Sequence, residues 1–237
     1  MKKLLLISGA LLAFTASAAS AQQIHLAFTD CGSFGAAALN NPCITNSGSI
    51  ALIGSVIPPT VPLFDAMEGI VDAAQAGVVS DWWRGDAAGC RNGALSGVFN
   101  FGALAGNCSD PFAGQALGSL FVIYPGTGST LIPANSERFD IYCAIGTTIA
   151  IDATAEWYMF EIQILRSKSV GMGACTGCNT PMAFYFNDLV LGQPAGSPGG
   201  NPDLGGNGSG QGCGYNGGNS PTPTESKSWG AIKALYR

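Results

Sequence analysis

Charge is scarce in this chain. Asp, Glu, Lys and Arg together make up 11% of its 237 residues, where about a quarter is usual for a soluble protein. A chain so poor in charge and so rich in Gly is neither a coiled coil nor a long-helix bundle. Cations are the scarcer sign: 10 Lys+Arg stand against 15 Asp+Glu, a net charge of -5. Loss of a leader carrying Lys2 and Lys3 takes it to -7. An acidic surface repels phosphate backbones, so no nucleic acid is expected as a partner. Histidine occurs once, at His25. That starves Ser-His-Asp and Cys-His chemistry of a base, and a His-based zinc site of ligands. Beyond the leader no run of ~18 apolar residues occurs, so the mature chain is expected to lack a transmembrane span. There is no Walker or dinucleotide fingerprint. No cofactor, no metal and no catalytic residue is expected.

What is there begins with Met1-Lys2-Lys3, an apolar run from Leu4 to Phe14, and Ala19-Ser20-Ala21. A basic start, a short apolar stretch and an A-x-A site are the parts of a secretory leader, expected to be removed after Ala21. The expected location is extracellular or on a bacterial cell surface. All eight cysteines (Cys31, Cys43, Cys90, Cys108, Cys143, Cys175, Cys178 and Cys213) fall in the mature chain. An even number in an exported chain points to disulfides. Spacing suggests Cys31 with Cys43 and Cys90 with Cys108, each closing a Gly/Asn-rich loop; the other four are left open.

Strand patterns dominate the remainder. Candidates run from Ile24 to Phe28, Ser49 to Ile57, Glu68 to Ala74, Gly93 to Phe101, Leu120 to Tyr124, Arg138 to Cys143, Trp157 to Leu165 and Met182 to Leu191. Phe139, Ile141 and Cys143 alternate onto one face, as do Tyr158, Phe160, Ile162 and Ile164. Asn187-Asp188 interrupts the alternation of the last strand and suggests a bulge. One short helical turn fits Pro111 to Leu120, with Asp110 as its cap. Gly, Pro, Asn and Asp clusters separate these runs. The expected fold is all-β, an antiparallel β-sandwich of seven to nine strands, stapled by disulfides and spanning 22–193.

From Gly192 to Thr224 the composition shifts: 12 of 33 residues are Gly, too little apolar surface to offset the entropy of ordering. Residues 194–224 therefore read as a flexible linker. In 225–237, Trp229, Ile232, Leu235 and Tyr236 recur at helical spacing, with Lys233 and Arg237 in the last turn, where cations suit the helix dipole. This reads as a short C-terminal helix and a sorting or attachment tag.

Residues suited to chemistry are few. Asp81-Trp82-Trp83-Arg84-Gly85-Asp86 sets two indoles beside carboxylates, a composition that stacks on sugar rings and bonds their hydroxyls. Asp81, Trp82, Trp83 and Asp86 are therefore the ligand-binding candidates. The plainer reading has both indoles capping the end of the core. Cys175-Thr176-Gly177-Cys178 is a CxxC followed by Asn179-Thr180-Pro181 rather than by a helix, and no second CxxC completes a zinc ribbon. A structural loop braced by disulfides is expected there, in place of a redox or zinc site. His25, alternating with Ile24 and Leu26, is expected to face solvent. Asp81, Asp86, Glu156 and Glu161 are carboxylates of the kind glycoside hydrolysis uses, but no spacing selects a pair. Asn201, Asp203 and Asn207 supply oxygens without the order of a calcium-binding EF-hand loop.

Val56-Ile57-Pro58-Pro59, Asp81-Trp82-Trp83, the run from Val170 to Pro181 with Gly173-Ala174-Cys175-Thr176-Gly177-Cys178, and the run from Ser228 to Arg237 together resemble a group of uncharacterised exported bacterial proteins. The likeness extends over nearly the whole chain and implies no catalytic residues. It implies that the Trp-Gly-x-Ile-Lys-x-Leu-Tyr-Arg ending recurs on different exported proteins, as a sorting or attachment tag would. Members often carry Cys two residues after the Pro; this chain has Ala183 there. At the level of fold the pattern also resembles cohesin-like and other immunoglobulin-like sandwiches. The expected function is that of a non-catalytic exported or cell-surface protein with a binding or structural role, its partner an envelope component or a glycan. The alternatives are a carbohydrate-binding module using Trp82 and Trp83, or a secreted carboxylate-dependent hydrolase.

Overall fold

A computed structural model describes residues 23–101, 107–124, 132–205 and 212–218. Ten strands form: β1 (Gln23–Phe28), β2 (Ala38–Leu39), β3 (Ser49–Ile57), β4 (Val61–Ala74), β5 (Leu95–Val98), β6 (Leu117–Ile123), β7 (Ser136–Ile151), β8 (Trp157–Leu165), β9 (Met182–Gly192) and β10 (Gly212–Tyr215). One sheet has the order β1-β3-β8-β5 and the other β2-β10-β9-β4-β7-β6. Pairing is antiparallel except between β10 and β2. The fold is thus all-β with two sheets, as the alternation predicts.

The core lies between the sheets and is built from one face of each strand. Tyr158, Phe160, Ile162 and Ile164 of β8 are fully buried, and Phe139, Ile141 and Cys143 of β7 nearly so. Gly54 of β3 is there for space: a Cβ would run into the Phe160 ring. The bulge in β9 falls where the polar dipeptide puts it. Ile70 of β4 pairs with Asp188 and Val71 with Phe186, leaving Asn187 as the extra residue. Phe184 and Phe186 before it and Leu189 and Leu191 after it therefore all reach the core.

Four expectations change. The sandwich does not stop at Gln193: Gly212–Tyr215 adds a strand beside β9, with Cys213 and Tyr215 fully buried. A Gly-rich stretch is ordered here because two large or soft side chains in it reach the core. Near Pro111 no helix forms. The Asp110 carboxylate accepts the Phe112 N–H at 2.8 Å, but it caps a turn alone. The disulfides pair across the molecule as Cys31–Cys108, Cys43–Cys178 and Cys90–Cys175, separated by 77, 135 and 85 residues. The local pairs Cys31–Cys43 and Cys90–Cys108 are not made, since the sheets bring together segments distant in sequence. Cys143 and Cys213 remain buried thiols. Three disulfides mark an oxidising compartment. No helix among the described residues is long and apolar enough to cross a membrane. The leader and the 225–237 tag lie outside the described residues.

Candidate functional site

Trp82 and Trp83 sit in a short 3-10 turn, Asp81–Trp83, and both are fully buried. The rings meet edge to face at 4.8 Å, and Trp82 stacks on Tyr215 at 5.7 Å. Trp82 Nε1 donates to Ser169 Oγ at 2.9 Å. Stacking on a sugar needs an indole face open to solvent, and neither ring offers one. The pair closes the end of the core, and the carbohydrate-binding role assigned to Trp82 and Trp83 is corrected accordingly. Of their neighbours, Asp86 is held by Arg84 through two bonds of 2.7 and 2.8 Å. That bond keeps its carboxyl below the ordinary range. Asp81 is exposed and accepts from Thr176 Oγ1 at 3.3 Å.

Beneath the indoles lies a buried polar cluster that the sequence does not announce. The Arg91 guanidinium is 3.6 Å from the centre of the Trp82 ring. It donates to the Trp82 carbonyl at 2.5 Å and to the Leu165 carbonyl. Desolvation lowers its pKa to about 10. Tyr124 donates to the Trp83 carbonyl at 2.8 Å and accepts from the Gly85 N–H at 2.6 Å. Fully buried Glu137 completes the cluster beside Tyr124 and in the field of Arg91. Desolvation raises the Glu137 carboxyl well above the ordinary range, although Tyr124 and Arg91 oppose the shift.

A carboxyl so raised binds its proton in the folded state and releases it in the unfolded one. Its contribution is therefore full below the ordinary carboxylate pKa and declines as pH rises above it, by up to ~1.4 kcal/mol per pH unit. Glu137→Gln keeps the shape and removes the titration. The expected result is a smaller loss of urea midpoint between pH 5 and pH 8 than in the parent, with near-equal midpoints at pH 4. Parallel profiles over that range would contradict the assignment.

His25 is buried, contrary to its expected place in solvent. Its Nδ1 is 2.6 Å from Glu156 Oε1, and its Nε2 is 2.9 Å from Gln23 Oε1. Ser55 donates to the same Glu156 oxygen at 2.6 Å. Burial pushes the Glu156 carboxyl up, but the hydrogen bonds from His25 and Ser55 outweigh it and leave the group below its ordinary range. The segment after β1 folds back over this triad, and Gly32, at φ +36°, passes so close that a Cβ would collide with Glu156 and His25. The alternation placed His25 on the outer side of β1 correctly; what buries it is this covering loop. Ser55 bonds the Glu156 carboxylate and not the imidazole. Glu161, nearly buried on β8, is raised by desolvation. The four carboxylates named from sequence thus have different settings: Asp81 with Thr176, Asp86 with Arg84, Glu156 with His25, Glu161 in the four-stranded sheet. Cys175 and Cys178 are not joined to each other, and no redox dithiol exists at the CxxC. Asn201 accepts from the Gln193 N–H at 3.0 Å and Asp203 from the Gly205 N–H at 2.8 Å. Asn207 is outside the described residues. Among the described residues no group of three or more His, Cys, Asp or Glu could hold a metal ion.

The open surface is the outer face of the six-stranded sheet. Pairing sets its rows: Val190, Glu68, Tyr142 and Ser119 lie side by side on β9, β4, β7 and β6, with Gly192, Ala66, Ala144 and Leu117 in the next row. A groove of about 600 Å³ runs over these rows and is flanked by Asn201. Its lining residues Leu117 and Tyr142 are 81% and 40% accessible, and Phe121 in the adjoining row is 57% accessible. Phe121 and Tyr142 meet edge to face at 6.0 Å. Glu68 lies against the Tyr142 hydroxyl, and Asp140 and Asp188 lie in the adjoining row, where partial burial raises both carboxyls. Asp203, beside Asp188, raises the latter further. The nearby Arg138 is committed to Asp72 by bonds of 2.7 and 2.9 Å. The groove is thus apolar and acidic. Sequence reading missed it because its residues come from four strands and lie on their solvent side. The available signal was Leu117, Phe121 and Tyr142 at outward positions.

No known family model matches this chain, and neither a curated protein nor a solved structure matches it.

Proposed function

We propose that the protein is a non-catalytic exported or cell-surface β-sandwich protein with a binding or structural role, acting through the outer face of the six-stranded sheet. The observation that supports this reading is the exposed surface of Leu117 and Tyr142 beside Glu68 in a groove of about 600 Å³, with exposed Phe121 packed on Tyr142 at its margin. Large exposed apolar side chains clustered in a concavity are the mark of an interaction surface. The sole histidine is spent on Glu156 and Gln23. A glycan is a second reading, favoured by the exposed Tyr142 ring beside acceptors on Glu68 and Asn201. It replaces the buried indoles as the place for a sugar.

Fractionation of cells expressing the full chain tests the role. Leu117→Lys/Glu68→Lys changes only exposed side chains. The full chain is expected in the envelope fraction and the variant in the medium, shifted about tenfold, the effect of ~1.4 kcal/mol. Equal distributions would refute a role for this face. Release of the parent by soluble envelope glycan would assign the groove to sugar.

A further inference from the structure

We infer that the groove on the six-stranded sheet receives the segment 225–237 of a second copy of this chain. The inference rests on reading that face as the working surface, and it names the partner. The chemistry is complementary. Three of the chain's 10 Lys+Arg, namely Lys227, Lys233 and Arg237, fall in this segment against a single acid, Glu225, together with Trp229, Ile232, Leu235 and Tyr236. The groove offers Leu117 and Tyr142 for the apolar side chains, with exposed Phe121 packed on Tyr142 at its margin. Glu68 lines it, Asp140 and Asp188 lie in the adjoining row and Asp203 bridges Val190 at its side, while the nearby Arg138 is paired with Asp72. Partly buried carboxylates gain from an arriving ammonium or guanidinium group.

The path of the chain points to a second copy. β10 runs from the level of Tyr185 to that of Met182, so the chain leaves the sheet at the end where Ala74 pairs with Ala183. The groove lies at the opposite end, where Ala66 pairs with Gly192. Eight residues of β4 separate those levels, ~26 Å along the strand, and the two to three strands between β10 and the groove add ~10–14 Å sideways. The connection from Gly218 to Trp229 spans at most ~37 Å fully extended and averages ~18 Å as a coil. Reaching its own groove would stretch that connection to about 28–30 Å, well beyond its ~18 Å coil average. A neighbour's groove carries no such constraint. Because donor segment and acceptor groove are different surfaces, the contact is head-to-tail and repeats along a row of copies.

Sedimentation velocity over a range of concentrations tests this, with three proteins. The full chain is expected to associate further as concentration rises, and less so in high salt. The chain lacking 225–237, and the chain with Leu117→Lys/Glu68→Lys, are each expected to stay monomeric. Mixed together they are expected to stop at a one-to-one pair, since one supplies the groove and the other the segment. A fluorescent peptide of residues 225–237 is titrated in parallel against the chain lacking that segment. Absence of peptide binding overturns the inference. Peptide binding with a full chain that stays monomeric also overturns it, in favour of occupancy by the chain's own segment. Failure of peptide binding while the groove variant is still lost from the envelope fraction sinks this inference alone and leaves the proposed role standing.

Discussion

Replacing Cys43 and Cys178 together by Ser is expected to lower stability by about 4 kcal/mol. The bond joins positions 135 residues apart, but the retained Cys31–Cys108 and Cys90–Cys175 shorten the covalent path between them to about 35 residues, and in the chain-entropy account a loop of that length restricts the unfolded chain by ~4 kcal/mol. A domain of this size is typically stable by only ~5–15 kcal/mol, so the loss takes much of what there is. Native packing adds to the effect. Asn41 Nδ2 lies 3.6 and 3.8 Å from the two sulfurs and donates to Tyr215 Oη at 2.7 Å. Tyr215 in turn donates to the Cys178 carbonyl at 3.0 Å. The bond therefore anchors β10 at the buried end of the core. Urea unfolding followed by tryptophan fluorescence checks this, with and without reductant. The parent is expected to lose more than the variant on reduction, because Cys31–Cys108 and Cys90–Cys175 open in both while the parent alone still has Cys43–Cys178 to lose. A change below ~1 kcal/mol in the variant would mean that the cross-link is not a stabilising element.

Trp82→Ala is expected to cost about 4 kcal/mol, within the range for large-to-small changes at fully buried aromatic sites. Three partners lose contact at once: Trp83, Tyr215 and the Arg91 guanidinium stacked on the ring. The last matters most, since a buried cation deprived of its aromatic face keeps its desolvation penalty. Trp82→Phe retains a ring for Arg91 and is expected to cost clearly less. Near-UV circular dichroism and the urea midpoint report both. Equal costs for Ala and Phe would show that Arg91 draws little from the indole.

Much of the fold could be read from local pattern. The alternation in Trp157–Leu165 located β8, the β-branched-rich run Ser49–Ile57 ended by Pro58-Pro59 located β3, and Asn187-Asp188 located a bulge, because each signal sits within a few residues. Other features depended on distant partners. β4 begins at Val61, well before the expected Glu68, and carries irregular pairing between Val61 and Ala66. That irregularity breaks the period by which a strand is recognised. β2 and β10 are short and Gly-poor in pattern or Gly-rich in content, and they become strands only by pairing with neighbours. Arg91 and Glu137 look like surface residues in sequence; it is the sheet packing that encloses them. The Trp pair was legible as an unusual patch, but its burial follows from Tyr215, which comes from a stretch whose composition suggested a linker.

The cross-links also bear on how the polypeptide must mature. As the chain emerges amino end first, Cys31 meets Cys43 long before Cys108 is available, and Cys90 meets Cys108 long before Cys175. Sequential oxidation in order of appearance would thus capture mismatched thiols, and none of those early bonds survives in the native set. An oxidant alone would strand the nascent protein in scrambled forms. Efficient production calls for a reshuffling catalyst in the same compartment, and the two buried sulfhydryls, Cys143 and Cys213, are extra decoys until the sheets close over them.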